Sequence, residues 1–191
     1  MRYANTHKED TRNKLLASSR AIAKRGGFTS TGVDALMGSI GLSGGAFYSH
    51  FPSKRALFEA IVEAEIDNSS NMLAGNEDSP DNHVAKCLRD YLSTFHAMNP
   101  DVGCVLPALG AEIARAGPEV RTTVERGLKR THKSWSERVD DPDAAWALIA
   151  QCVGAVMLAR AVESDKTRKE ILSASRRFID KAQVREASKK D

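Results

Sequence analysis

The sequence has 191 residues, enough for one large domain or two small ones with a buried core. Hydrophobic residues make up 41% of the chain and charged residues 28%, a balance that excludes a largely disordered protein. The formal net charge is only +3, but residues 1–60 carry nine Lys and Arg against four Asp and Glu. A basic first third favours contact with a polyanion through that end of the chain.

Helical periodicity recurs along the chain, and no stretch shows the sustained alternation that is typical of strands. The pattern predicts a first helix over about residues 8–24, which a pair of glycines ends. Thr31 and Asp34 have the spacing of a capping box, which opens a short second helix. After a glycine break, Ser43 is expected to cap a third short helix that runs through His50.

The rest of the chain, from Ser53 onward, is also predicted to be helical. Ser53 is expected to cap a long amphipathic helix, and residues 75–82 form the clearest loop. Three further helices precede Asp141 and Pro142, which form the N-cap and first-turn pair of an alanine-rich helix. A last amphipathic helix follows. The sequence thus predicts an all-α fold of about nine helices, in which an N-terminal three-helix domain precedes a larger helical bundle.

Residues 144–162 test whether the chain has a membrane-spanning helix, because sixteen of these nineteen residues are apolar. Seven of them are alanines, and Gln151 and Arg160 interrupt the run, so transfer into lipid is unfavourable. A helix that is apolar nearly all round is expected to be buried in protein. The N-terminal residues also lack the apolar stretch of a signal peptide. We expect a cytoplasmic protein without membrane contact.

The sequence contains no set of residues that points to catalysis, a metal ion or a cofactor. Its three cysteines lack the spacing of metal ligands, and their odd number gives no disulfide framework. The five histidines form no HxxxH or HExxH pair. Neither a GxSxG nucleophile elbow nor a phosphate-cradling glycine loop is present. We therefore expect a protein that is not an enzyme, with no catalytic residue, metal site or cofactor.

Residues 31–50 are predicted to form two short helices joined by a tight turn, which is helix-turn-helix geometry. In such a unit the second helix lies in the major groove of DNA, and the first helix braces it. Small residues at the start of the second helix let the backbone approach base edges, and the methyl group of Ala46 suits a thymine methyl. Tyr48, His50 and Lys54 carry groups that reach phosphates. The alternative is a three-helix bundle whose basic residues bind nothing.

Residues 12–66 resemble the N-terminal domain of the TetR family of transcriptional regulators, above all in the segment GFTSTGVDALMGSIGLSGGAFYSHFPSKRALFEAIV. The residues at the family's spacing are Gly27, Phe28, Thr31, Val33, Leu36, Gly41, Leu42, Ser43, Gly45, Phe47, Tyr48, His50, Phe51, Ser53 and Lys54. Residues 103–122 and 158–172 resemble the effector domain of one branch of that family.

The resemblance implies three functional segments along the chain. The implied segments are a DNA-binding domain at 8–52 with its helix-turn-helix at 31–50, a ligand-binding and dimerisation domain at 53–184, and a charged tail at 185–191. By analogy the residues that touch DNA, mostly at phosphates, are Thr31, Ser43, Gly45, Tyr48, His50 and Lys54. The start of the second helix adds Gly44 and Ala46 to these candidates, whereas Phe47 and Phe51 are expected in the core.

Two glycines depart from the family's pattern. Gly44 stands where relatives often place Arg, Lys or Gln, so a direct base contact is expected to be missing there. Gly38 is expected inside the bracing helix, where it costs about 1 kcal/mol relative to Ala. Binding would then depend more on phosphates, on an N-terminal arm with Arg2, Lys8 and Arg12, and on DNA shape. Gly44 also favours the alternative that the chain is a protein-binding or enzymatic helical bundle that no longer binds DNA.

The resemblance implies a homodimer built from the last two helices of each chain, near residues 142–163 and 165–182. The small, nearly all-apolar surface of the first of these helices independently needs more cover than one small bundle offers. The alternative is that it is simply a central core helix.

A ligand cavity in the larger domain is expected from the resemblance alone. The residues suited to line it are Phe95, Met98, Cys104, Leu109, Leu128, Trp135 and Met157, and the alternative for each is ordinary core packing. Cys104 is also a candidate redox sensor. It follows Gly103 at a predicted helix start, where the helix dipole favours the thiolate. Some relatives with Gly-Cys at this place respond to oxidants or electrophiles. The alternative is a small buried hydrophobe.

The sequence is thus interpreted as that of a dimeric transcriptional regulator. It would bind a palindromic operator in double-stranded DNA as a repressor and leave it when a small-molecule effector binds the C-terminal domain. The alternative trigger is oxidation or electrophile modification of Cys104.

Overall fold

The computed structural model describes the backbone of residues 2–187 and the side chains of residues 8–181. Within these residues the chain is all-α, which confirms the predicted fold class. The elements are α1 (Arg2–Gly26), α2 (Val33–Gly38), a 3₁₀ helix (Gly44–Ser49), α3 (Lys54–Ala74), α4 (His83–Tyr91), α5 (Thr94–Met98), α6 (Leu106–Ala114), α7 (Pro118–Val139), α8 (Pro142–Ala161) and α9 (Asp165–Ala187).

The chain divides into two compact units. Unit 1 comprises Met1–Asp67 and Pro100–Val124, and unit 2 comprises Asn68–Asn99 and Glu125–Asp191. The boundaries between the units therefore fall inside α3, between α5 and α6, and inside α7. The sequence instead predicts a DNA-binding domain that ends at residue 52. That functional boundary differs from the division into compact units, and it stays a prediction.

Unit 1 is built on apolar side chains from α1, α2, the 3₁₀ helix and α3. The fully buried ones are Leu15, Leu36, Met37, Phe47, Leu57, Ile61 and Val62. Phe28, in the loop after α1, adds a ring that packs on Phe58 of α3 with 4.9 Å between ring centroids. Burial of this set stabilises the arrangement of α1, α2, the 3₁₀ helix and α3.

A buried ion pair lies in the same core. Lys24 Nζ is 2.5 Å from Glu65 Oε2, and both side chains are only 4% exposed. Arg20 Nε lies 2.8 Å from the other carboxylate oxygen of Glu65, and Lys24 Nζ also donates to the carbonyl oxygen of Gly103 at 3.0 Å. These contacts hold together α1, α3 and the segment that precedes α6.

The starts of the short helices differ from the sequence prediction. The predicted capping box is wrong, because the Thr31 hydroxyl donates to the Gly27 carbonyl oxygen at 2.9 Å and the N-cap of α2 is Gly32, which has no side chain. Ser43 is the N-cap of the third element but makes no side-chain capping bond. That element is a short 3₁₀ helix, and the two glycines at its start weaken its helical structure.

Helix ends also differ in part from the prediction. Gly38 is the last residue of α2 rather than an interior residue, so its cost to the helix is smaller than expected. Helix α1 is longer than the predicted 8–24. The predicted cap of α3 is confirmed, since the Ala56 N–H donates to Ser53 Oγ at 3.1 Å.

Unit 2 is centred on α8, which packs against α9, α5 and α4. The Asp141 carboxylate caps it as predicted, accepting from the N–H groups of Asp143 and Ala144 at 2.8 and 3.0 Å. The buried side chains of α8 are Ala145, Leu148, Cys152, Ala155, Val156 and Ala159. Arg160, near the end of α8, donates to the carbonyl oxygens of His96 and Ala97, each at 3.0 Å. Helix α5 is thereby attached to α8.

Helix α8 is the one helix in the described part of the chain that is long and apolar enough to cross a membrane, by length and composition alone. Its buried face belongs to the core of unit 2. The expected burial nearly all round is not found in the single chain, where 39% of the apolar window of α8 is buried.

Candidate nucleic-acid interface

Helix α2 and the 3₁₀ helix form the predicted helix-turn-helix pair. Gly41 adopts a left-handed backbone conformation with φ of +74°, which a side chain would strain. The turn is closed by the Leu42 N–H, which donates to the Met37 carbonyl oxygen at 3.0 Å. The loop that precedes α2 begins with Gly27, also left-handed, at the end of α1.

The 3₁₀ helix is fixed by Phe47, which is fully buried. Its ring packs near Phe51, at a centroid distance of 6.1 Å, and meets the ring of Tyr48 edge to face at 5.3 Å. The guanidinium of Arg12 lies over the Phe51 ring at 4.5 Å. Both phenylalanines thus serve the core, as the resemblance implies, and they leave the opposite side of the 3₁₀ helix toward solvent.

Several predicted DNA-binding residues lie on that open side. Tyr48 is 67% exposed, and Ser43 and Gly45 are also exposed. Gly44, Ala46 and His50 are half-buried. The Nδ1 atom of His50 is buried without a hydrogen-bond partner in the described residues. Tyr48 is therefore the large side chain that the 3₁₀ helix leaves exposed.

Lys54 and Thr31 make contacts within the protein. The Lys54 ammonium donates to the Thr29 carbonyl oxygen at 2.9 Å and lies 5.0 Å from the centroid of the Phe28 ring. The Thr31 hydroxyl binds the Gly27 carbonyl oxygen. An ammonium has three N–H donors, so Lys54 retains donors for an anion while it secures the loop.

Two carboxylates at this unit were not singled out as site residues by the sequence analysis. Asp34, in the first turn of α2, lies against Gly44 of the 3₁₀ helix. Glu112 of α6 accepts hydrogen bonds from the N–H groups of Phe28 and Thr29 at 2.9 and 2.8 Å, and from the Thr29 hydroxyl at 2.5 Å. No local sequence pattern reveals the Glu112 contact, since its partners lie more than eighty residues earlier.

The pKa of Glu112 reflects this contact. Partial burial acts to raise the pKa, but the hydrogen bonds from the Thr29 side chain and from the two backbone N–H groups outweigh it. The net result is a pKa below the ordinary value of 4.5. The carboxylate is thus charged at neutral pH and connects α6 to the loop that precedes the helix-turn-helix.

A shallow groove of about 400 Å³ lies beside this contact. The charged and aromatic residues that line it include Phe28, Lys54, Arg55, Phe58, Glu112 and Arg115. Arg55 is held at one rim by Glu59 and Glu119, at 2.8 and 2.9 Å.

The predicted ligand-pocket residues are divided between the units. Cys104 and Leu109 are buried in unit 1. In unit 2, Trp135 is 1% exposed, and its indole N–H donates to the Leu73 carbonyl oxygen at 2.8 Å. Leu128 of unit 2 is half-buried. The exposed members of the set are Phe95, Met98 and Met157. The pocket itself stays a prediction.

Cys104 lies two residues before α6 and is 8% exposed. Its neighbour Gly103 accepts the hydrogen bond from Lys24 described above. Cys87, in unit 2, has its Sγ 3.4 Å from His83 Nε2, and burial raises the pKa of the Cys87 thiol. In the described part of the chain no three His, Cys, Asp or Glu side chains are grouped as metal ligands.

Comparison with known proteins agrees with this geometry. Residues 15–61 match the family model for bacterial regulatory proteins of the tetR family. This range contains α2, the 3₁₀ helix and most of the core of the helix-turn-helix pair. This segment of the chain belongs to the tetR family of bacterial regulatory proteins.

Two curated relatives of this chain are transcriptional regulators of Escherichia coli K12. The repressor NemR is 27% identical over 130 residues, which span 65% of this chain and 65% of NemR, slightly under two thirds of its length. The regulator UidR is 39% identical over 57 residues, 30% of this chain and 29% of UidR.

Solved structures share the fold. The crystal structure of E. coli NemR in its reduced form has a TM-score of 0.73 and 23% identity, with 89% of this chain and 96% of that chain covered. A TetR regulator from Chloroflexus aurantiacus has a TM-score of 0.75 and 21% identity, with 91% and 96% covered.

Replacing Glu112 by Gln tests the contact between α6 and the loop. We expect Glu112→Gln to lower the free energy of unfolding by about 1–2 kcal/mol at neutral pH, because charged hydrogen bonds are lost. For a chain of this size that loss lowers Tm by about 2–8 °C. Because the folded pKa lies below 4.5, the stabilisation is complete above that value and is lost as the pH falls through the folded pKa.

Circular dichroism melts of both proteins, from neutral to acidic pH, measure this difference. Glu137→Gln is the matched control, since Glu137 is an exposed glutamate in unit 2. A Tm gap for Glu112→Gln that stays constant down to the most acidic pH would contradict the assigned role of the carboxylate.

Proposed function

We propose that this TetR-family chain is a transcriptional repressor that binds a palindromic DNA operator as a homodimer and is released by a small-molecule effector. The observation that carries the proposal is the helix-turn-helix itself, in which buried Phe47 turns the glycine-rich start and Tyr48 of the 3₁₀ helix toward solvent. Operator binding would place the protein in the cytoplasm.

In the proposed complex the 3₁₀ helix enters the major groove, and its flanks bind phosphates. The backbone of Gly44 and Gly45 can approach base edges, with the Ala46 methyl beside them. The groups proposed for phosphate contacts are those of Thr31, Ser43, Tyr48, His50 and Lys54. The N-terminal end of α3, which is 21 residues long, adds the positive end of its dipole to this set.

The proposed dimer interface is an exposed apolar stripe on α8 and α9. On α8 the exposed or half-buried members recur at helical spacing, and they are Ala147, Ala150, Gly154 and Leu158. On α9 they are Ile171, Ala174 and Phe178. Leu158 and Phe178 are 60% and 66% exposed in the single chain, although both are large and apolar. Four helices from two chains would bury this stripe.

The proposed effector site is near α5 in unit 2. Phe95 and Met98 on α5 are 68% and 53% exposed, so they offer apolar surface to a ligand. Arg160 binds two carbonyl groups of α5, so a ligand that moves α5 would act on α8 and on the proposed dimer interface. Leu128, Trp135 and Met157 remain proposed members of the same site.

Release from DNA is proposed as a shift between two conformations. The effector must bind the non-binding conformation more tightly, with a difference on the order of 5 kcal/mol for a nearly complete switch. Within unit 1, α6 would pass a movement to the helix-turn-helix through Glu112 and the N–H groups of Phe28 and Thr29.

The DNA-binding proposal is tested by selecting operators from a pool of random-sequence duplexes that are long enough for two half-sites. The wild-type chain is expected to enrich an inverted repeat. Tyr48→Phe removes one exposed hydroxyl from each subunit and is expected to weaken binding to the enriched duplex by about tenfold to thirtyfold. Fluorescence anisotropy at fixed salt measures the affinity.

Tyr91→Phe is the matched control, because Tyr91 is buried in unit 2. It should leave the affinity for the enriched duplex unchanged. Failure of the wild-type chain to enrich any sequence would contradict the proposal, as would equal affinities of the wild type and Tyr48→Phe.

The dimer proposal is tested at Gly154. A Cβ at Gly154 meets no atom within 4 Å in the single chain, so Gly154→Arg should fold normally. In the proposed dimer the arginine would hold the helices apart. Light scattering after size exclusion is expected to give twice the chain mass of 20.8 kDa for the wild type and about the single-chain mass for Gly154→Arg.

Gly110 of α6 is the control, since its Cβ position is equally open. Gly110→Arg should remain dimeric. A dimeric Gly154→Arg protein would show that the interface lies elsewhere.

The second candidate trigger is modification of Cys104. It is favoured by the hydrogen bond from Lys24 to Gly103, which links the residue before Cys104 to the ion pair between α1 and α3. Adding a group to a thiol that is only 8% exposed would displace this segment. The solved structure of the relative NemR shows the reduced form of that protein.

Alkylation with N-ethylmaleimide separates the two triggers. If Cys104 is the sensor, alkylated wild-type protein loses affinity for the enriched duplex, whereas alkylated Cys104→Ser keeps it. Cys87→Ser is the control and should behave as the wild type, because Cys87 lies in unit 2. Unchanged affinity of the alkylated wild type, with Cys104 shown by mass spectrometry to be modified, would exclude the thiol trigger.

A further inference from the structure

The carboxylate of Asp34 occupies the place where a side chain at position 44 would begin. A Cβ built on Gly44 would overlap Asp34 Oδ1 and would lie 3.0 Å from Asp34 Cγ. Asp34 belongs to α2 and Gly44 to the first turn of the 3₁₀ helix. The two elements of the helix-turn-helix thus meet with a carboxylate at the start of the element proposed to enter the groove.

This carboxylate lies at the protein surface. Asp34 is exposed, and among the described residues it has no hydrogen bond and no ion pair. Gly44 and Gly45 carry no side chains that would cover it. An uncovered carboxylate beside the 3₁₀ helix is available to whatever the 3₁₀ helix approaches.

Near DNA such a carboxylate is subject to two opposing effects. The phosphates repel it, so it weakens binding to any sequence on which it finds no donor. In the major groove the amino group of cytosine at N4 is a donor that suits an aspartate. The N6 amino group of adenine is also a donor, but it lies beside the acceptor N7, which repels a carboxylate, and guanine N7 and O6 and thymine O4 are acceptors. A carboxylate in this position therefore favours one base and penalises others.

We propose that Asp34 is a specificity-determining residue, which accepts a hydrogen bond from the N4 amino group of a cytosine in each operator half-site. The proposal rests on the proposed DNA-binding function. It gives the recognition element a base contact in spite of Gly44, because the side chain comes from α2 instead of from position 44.

A purely structural role for Asp34 makes a different prediction. An acidic residue in the first turn of a helix stabilises it by interacting with the helix dipole. Loss of that effect would lower Tm and change the affinity for all sequences alike. It would not change which base is preferred at one position.

The experiment compares operators selected from the random duplex pool by the wild type, Asp34→Asn and Asp34→Ala. The wild type should enrich a cytosine at one symmetric position of both half-sites, and its exchange for thymine should weaken binding by about fivefold or more. Asp34→Ala should lose the preference at that position only. Asp34→Asn keeps the size of the side chain but adds an N–H donor, and it should shift the preference toward adenine.

Asp10→Asn is the matched control, since it removes an exposed carboxylate from unit 1 at a distance in sequence. It should select the wild-type motif. A wild-type inverted repeat that both Asp34 variants also select would overturn the inference and leave the DNA-binding function intact. No enriched sequence with the wild type would overturn the function and this inference together.

Discussion

The buried ion pair between Lys24 and Glu65 is the interaction on which the DNA-binding unit depends. Two charges that are each 4% exposed are stable only together, and loss of either partner from such a pair costs about 3–5 kcal/mol. Lys24 also binds Gly103, so the pair fixes the end of α1 against α3 and against the segment before α6. The ion pair thus adds a fixed polar contact to the apolar packing of these elements.

A second polar contact holds the other end of the segment that runs from Gly103 to Glu112. Glu112 of α6 binds the N–H groups of Phe28 and Thr29, immediately before the helix-turn-helix. Together with the Lys24 contact, it connects one end of the 103–112 segment to α1 and the other end to the loop after α1. In the proposed mechanism, a change in α6 would thus alter the position of the loop that leads into α2.

The sequence predicted the all-α fold and the helix-turn-helix because periodic apolar residues, glycine breaks and local caps are short-range signals. The caps at Ser53 and Asp141 are of this kind and are confirmed. The capping box at Thr31 was wrong because the hydroxyl has a competing acceptor in Gly27, on the preceding turn. Such a competition between two local partners is decided by backbone geometry rather than by residue spacing.

The sequence pattern does not predict contacts between residues of different elements. Glu112 and Asp34 are ordinary acidic residues in helical positions, and only the fold brings them to Thr29 and to Gly44. Considered alone, Gly44 predicts that a base contact is missing. The structure instead places a neighbouring carboxylate at that point, so the consequence of the glycine depends on Asp34.

The central claim is that two copies of the helix-turn-helix bind successive major grooves of one DNA duplex. Hydroxyl-radical footprinting of the wild-type protein on the most strongly enriched duplex tests it most directly. The account predicts two protected regions related by two-fold symmetry and centred about one helical turn, or a whole number of turns, apart. A single protected region, or uniform protection along the duplex, would contradict it.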